Sequence, residues 1–153
     1  MPRRPVRAKG STKPSTRPPT RPPGRKGRDG EGKPLVLVVE DYEDARELYA
    51  EYLAFAGFRV EQASDGAEAL DKAARFVPDL ILMDLSMPGM DGWEATRRLK
   101  RDTKTMHIPI IALTGHVLAG HAESAKSAGC DSFLAKPCLP DAMVAEVRRM
   151  LEK

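Results

Sequence analysis

Three short apolar runs, each closed by a polar or charged residue, constrain this chain more than any other feature. Leu35-Val36-Leu37-Val38-Val39 leads into Glu40-Asp41, Leu80-Ile81-Leu82-Met83 into Asp84, and Ile108 to Leu113 into Thr114. An apolar run without alternation reads as a strand buried on both faces, which is the situation of a parallel sheet covered by helices. Two weaker segments fit the same scheme, Phe58 to Gln62 as a second strand and Ser132 to Ala135 as a fifth, the latter followed by Lys136.

Helical signals fill the gaps between these runs. Ala45, Leu48, Tyr49, Tyr52, Leu53 and Ala56 fall at three- and four-residue spacing, with Gly57 as the stop. Asp65-Gly66-Ala67-Glu68 and Asp91-Gly92-Trp93-Glu94 both have capping-box spacing, and the second opens a helix running to about Arg101. A small-residue helix is expected over roughly Leu118 to Ala128, and Pro140, Met143, Val144, Val147, Met150 and Leu151 mark a last one. Strands alternating with helices require parallel pairing through right-handed crossovers. The expected fold is therefore α/β, a doubly wound five-stranded parallel sheet flanked by five helices.

That pattern begins only at about residue 34. Residues 1–34 hold eleven of the 25 Lys and Arg, two of the 22 acids and eight of the 13 prolines, so this part carries a net +9 and leaves −6 for the rest. It offers almost nothing to bury, so residues 1–33 are expected to be a disordered basic tail ahead of a folded domain over 34–153. Ser11-Thr12-Lys13-Pro14, Ser15-Thr16-Arg17-Pro18 and Pro19-Thr20-Arg21-Pro22 form a Thr-basic-Pro repeat that favours extended polyproline II segments. No apolar run approaches the ~20 residues of a membrane span, and no apolar stretch follows the basic N-terminus as in a secretory signal. A cytoplasmic protein is expected. Cys130 and Cys138 are too few for a disulfide framework and are expected to be reduced thiols.

Ligands of an open α/β sheet bind beyond the carboxyl ends of its strands, so the residues that close each run are the informative ones. They are Glu40, Asp41, Asp84, Thr114 and Lys136. Singly each has an ordinary structural role, the acids as helix caps, the threonine as a turn hydroxyl, the lysine as a solvated charge. Together, three carboxylates at one sheet edge repel, which either raises a pKa or calls for a cation. A hard, oxygen-ligated ion such as Mg²⁺ suits them and leaves positions open for a phosphoryl oxygen. The Lys136 ammonium and the Thr114 hydroxyl could then serve two other oxygens of that group.

Glu40-Asp41, the stretch Asp84-Leu85-Ser86-Met87-Pro88-Gly89-Met90-Asp91-Gly92, Ala112-Leu113-Thr114 and Lys136-Pro137 together resemble the response-regulator receiver domain, over Pro34 to Lys153. The resemblance implies the flavodoxin-like receiver fold and a phosphoacceptor role for Asp84. It makes Glu40, Asp41, Asp84 and the Ser86 backbone carbonyl the Mg²⁺ ligands. It also makes Thr114 the switch hydroxyl, Phe133 the aromatic that reorients with it, and Lys136 the phosphoryl contact, held by a cis bond to Pro137. The implied partners are a histidine kinase or histidine phosphotransfer protein and a downstream protein recognised by docking, since no output domain is expected after the last helix. Two departures from the family pattern are Cys138, where an aromatic is usual, and Gly115, where alanine is frequent. Neither removes a reacting group.

Ser86 and His116 stand two residues after Asp84 and Thr114 and could tune water access, although a surface role for His116 is equally open. His107 and His121 carry no signal, and Met87, Met90 and Trp93 read as packing residues. A flavin protein would need a phosphate cradle after the first strand, where Glu40-Asp41-Tyr42-Glu43-Asp44 is acidic. An aspartate-dependent phosphohydrolase would carry a second acid where Ser86 stands. A receiver-regulated nucleic-acid-binding protein acting through the tail is the remaining alternative, not favoured because the tail has no aromatic for base stacking.

Overall fold

The computed structural model describes residues 32–87, 90–115 and 128–152. Five parallel strands, β1 (Leu35–Val39), β2 (Arg59–Ala63), β3 (Leu80–Asp84), β4 (Ile110–Thr114) and β5 (Ser132–Ala135), form one sheet in the order β2-β1-β3-β4-β5. Every neighbouring pair is parallel. Among the described residues the helices are α1 (Glu43–Phe55), α2 (Gly66–Phe76), α3 (Gly92–Arg101) and α4 (Pro140–Leu151). Residues 1–31 of the tail and, except for Ala128, the helix expected over Leu118 to Ala128 lie outside the described residues.

The unbroken apolar runs are explained by two cores. Leu37 and Val39, Ile81 and Met83, Ile110 and Ala112 point to one face, where they meet Ala69, Ala73, Ala95 and Leu99 of α2 and α3. Val36 and Val38, Leu80 and Leu82, Ile111 and Leu113 point to the other, against Tyr49 and Leu53 of α1 and Met143, Val147 and Met150 of α4. Alternate side chains of each strand are thus buried on opposite sides. Met87 is buried, and Met90 and Trp93 pack against the first core, as packing residues should.

Several boundaries differ from expectation. The second strand starts at Arg59 because the Phe58 N–H is taken by the Leu53 carbonyl (3.0 Å), closing the end of α1. Gly57 takes a φ of +103°, the left-handed conformation of a helix stop. The fourth strand starts at Ile110, since the Ile108 N–H is held by Thr105 (3.0 Å) and Pro109 has no N–H to offer a neighbour. Leu48, placed on the buried stripe of the first helix, is instead exposed. Both capping aspartates accept the backbone N–H three residues on, Asp65 from Glu68 (2.8 Å) and Asp91 from Glu94 (3.0 Å). The reciprocal half of each box is absent. The Glu68 carboxylate turns to Ser64, and that of Glu94 to Arg97 and Arg98.

Candidate phosphoacceptor site

With β3 between β1 and β4, the residues that close these strands come to one edge. Asp84 ends β3 and is 1% exposed, Glu40 follows β1 at 2%, and Thr114 ends β4 at 3%. Glu40 is fixed by its N–H donating to the Ala63 carbonyl (3.1 Å), which extends the β1–β2 ladder one residue past the strand. Asp41 is exposed, and it, Glu40 and Asp84 each offer a carboxylate oxygen within 4.8 Å of the others.

Lys136 reaches this cluster from the end of β5. Its backbone N–H donates to the Thr114 carbonyl (2.9 Å), and its ammonium lies 3.3 Å from Glu40 Oε1 and 3.5 Å from Asp84 Oδ1. The Lys136–Pro137 peptide bond is cis. Asp84 Oδ1 also accepts the Ser86 N–H (3.1 Å). Phe133 stands apart from the acids, half-buried on β5 opposite Ala112, with its ring against the first core. His116, Pro88 and Gly89 lie outside the described residues.

The electrostatics follow from burial. Burial and, next, the Asp84 charge push the Glu40 carboxyl up to about 7, against the opposing pull of Lys136 and the Tyr42 N–H. Burial works to lower Lys136, but Asp84 and Glu40 outweigh it and hold the ammonium above its usual range. One ammonium therefore does not fully compensate two buried carboxylates. The converging ligand atoms of Glu40, Asp41 and Asp84 are hard carboxylate oxygens, with Glu40 and Asp84 buried and Asp41 exposed. A small divalent cation such as Mg²⁺ fits that set.

Two residues that sequence reasoning passed over shape the site. Gly92, read as part of a cap and as the end of the stretch that carries the family resemblance but given no role in the site, packs so closely that a Cβ there would lie 2.1 Å from the Asp84 carbonyl oxygen and 2.7 Å from Leu85 Cα. A glycine in the first turn of a helix is unfavourable by itself, and that cost was the available signal. Arg46 holds the acidic loop from α1, donating from Nη1 to the Glu40 carbonyl and from Nε to Gln62 Oε1, both at 3.1 Å. Nothing in its helical spacing distinguished it.

The family description "Response regulator receiver domain" matches residues 36–148. The polar-differentiation response regulator DivK of Brucella anthropi is 38% identical over 102 residues, covering 67% of this chain and 83% of DivK. The chemotaxis protein CheY4 of Vibrio cholerae is 32% identical with a TM-score of 0.73, covering 76% of this chain and 98% of CheY4. The receiver domain of the sensor histidine kinase PA1611 from Pseudomonas aeruginosa, solved with a magnesium ion coordinated in its active-site cleft, is 36% identical with a TM-score of 0.69 and covers 78% of this chain and 95% of that one.

Proposed function

Because the chain belongs to the response-regulator receiver family, we propose that it is a response regulator that accepts a phosphoryl group on Asp84 and signals by phosphorylation-controlled docking to a downstream protein. The phosphoryl donor is a histidine kinase or a histidine phosphotransfer protein. The domain spans residues 34–153 behind a tail of residues 1–33, and the protein works in the cytoplasm, where its two thiols stay reduced.

The observation that supports this most is the meeting of Asp84, Glu40, Asp41 and Lys136 at one sheet edge. Glu40, Asp41, Asp84 and the Ser86 backbone carbonyl would hold Mg²⁺, which supplies positive charge to the phosphoryl oxygens during transfer. An Asp84 carboxylate oxygen attacks phosphorus as the P–N bond to the donor imidazole breaks, giving an acyl phosphate and a free histidine. Lys136, already within 3.5 Å of Asp84, neutralises a phosphoryl oxygen, and the Thr114 hydroxyl at the end of the adjacent strand donates to another. Hydrolysis of the acyl phosphate at the same site returns Asp84 to its resting state, which makes the protein a phosphoacceptor rather than an enzyme with a separate substrate.

Incubation with acetyl phosphate and Mg²⁺, followed by intact mass and peptide mapping, tests acceptor and metal together. A single phosphate adduct on the peptide containing Asp84, dependent on Mg²⁺ and absent in Asp84→Asn, is the expected result. An undiminished adduct in Asp84→Asn would overturn the assignment.

A further inference from the structure

Outside α1, every helix acid but Asp141 is paired along its own helix. Glu68 meets Lys72, Asp71 meets Arg75, Glu94 meets Arg97 and Arg98, and Glu146 meets Arg149. On α1 the exposed face carries Glu43, Glu47 and Glu51 at successive four-residue intervals. Among the described residues none forms an ion pair with these three. Like charges at that spacing repel, by about 0.2–0.5 kcal/mol a pair. The lone arginine of α1, Arg46, is turned to the Glu40 carbonyl and Gln62. The same face exposes Leu48 at 44% and, at the end of the helix, Phe55 at 96%. It is therefore an acidic helix face with an apolar foot and no partner among the described residues.

The chain carries its own complement beside that foot. Arg59, four residues beyond Phe55, donates its backbone N–H to the Pro34 carbonyl (2.9 Å) and Nε to the Lys33 carbonyl (3.3 Å), so the basic segment leaves the domain next to the end of α1. Its cations Lys9, Lys13, Arg17, Arg21 and Arg25 recur every four residues. In the polyproline II geometry that its Thr-basic-Pro repeat favours, four residues advance ~12 Å. Glu43 and Glu51, eight helical residues apart, are also separated by ~12 Å. The thirteen residues of α1 span ~20 Å, and the seven residues from Gly32 back to Arg25 reach ~22 Å when extended.

We propose that residues 17–28 dock in cis along the exposed face of α1, with Arg21 and Arg25 spanning the Glu43–Glu47–Glu51 row. Arg59 and Arg148 stand at the foot of the helix, the latter on the Ala56 carbonyl, and repel the tail there, so the contact is centred on the acidic row. The tail forms an electrostatic cover over the helix that begins beside Asp41, weakened by salt and displaced by any partner that binds α1. It depends on charge and exposure alone and stands whether or not Asp84 accepts phosphate.

A nitroxide attached at Thr20→Cys in the full chain tests this, since the native thiols Cys130 and Cys138 are buried. Amide signals of residues 43–55 should lose intensity severalfold relative to those of α3 on the opposite side of the sheet. The loss should disappear at about 0.5 M NaCl and in Glu47→Lys/Glu51→Lys, and return when Arg21→Glu/Arg25→Glu is added to the reversed helix. Uniform broadening, broadening centred on another helix, or broadening that survives the charge reversal overturns the proposal. Broadening seen only between a labelled chain and a separate isotope-enriched chain would give the face to a second copy and overturn it equally.

Discussion

Replacing Glu40 with glutamine tests the electrostatics of the site while keeping its shape. Burial first, and the Asp84 charge second, raise this carboxyl from 4.5 to about 7 in the folded metal-free protein. In the unfolded chain it titrates near its ordinary value. A group raised on folding keeps its full contribution to stability below the unfolded pKa and loses it as pH climbs through the folded one. Stability relative to a neutral side chain should therefore fall between about pH 4.5 and about pH 7. At ~1.36 kcal/mol per pH unit the total is about 3 kcal/mol. Urea unfolding of the wild type and Glu40→Gln, with chelator present, measures it as a difference in which the carboxylates remote from the site cancel. That difference should move by up to about 3 kcal/mol in favour of the variant across the window and then level off. Saturating Mg²⁺ should restore the wild type more than the variant, which has lost one ligand oxygen charge. A difference that stays flat from about pH 4.5 to about pH 8 would refute the reasoning, because Glu40 would then ionise without penalty beside Asp84.

The close approach of Gly92 to Asp84 predicts that Gly92→Ala, which must displace the Asp84 carbonyl or α3, costs about 1–3 kcal/mol and lowers Tm by about 5–10 °C. It should also slow phosphorylation by acetyl phosphate, and an unchanged Tm and rate would show that the helix shifts freely. Thr114→Ala should still accept phosphate on Asp84 yet show muted chemical-shift changes around Phe133 on adding beryllofluoride and Mg²⁺, whereas full wild-type changes at both places would disprove the coupling. Cys130, pushed up to about 11 chiefly by burial, should react with a thiol reagent near neutral pH only at the rate of unfolding, and rapid modification in the native state would contradict its buried position. Deleting residues 1–33 should leave Tm nearly unchanged, since an electrostatic cover buries little, and a large fall in thermal melting would show that the tail packs into the domain.

What the sequence determined by itself was the element order, the parallel sheet and the set of residues at its carboxyl edge. Unbroken runs such as Leu35 to Val39 have only one inexpensive environment, a strand covered on both faces, and in that architecture Glu40, Asp84, Thr114 and Lys136 necessarily end at the same edge. Local chemistry also sufficed for the caps at Asp65 and Asp91, because the donor they satisfy is three residues away. The tertiary structure decided everything that depends on approach between distant segments. The second strand begins at Arg59 because Phe58 is used by α1, and Gly92 is required because α3 crosses directly over the Asp84 backbone. The same holds for charge. Glu40 is an ordinary acid in the chain and becomes a strained one only when folding buries it beside Asp84, since desolvation and Coulomb repulsion are set by distances that no local spacing encodes.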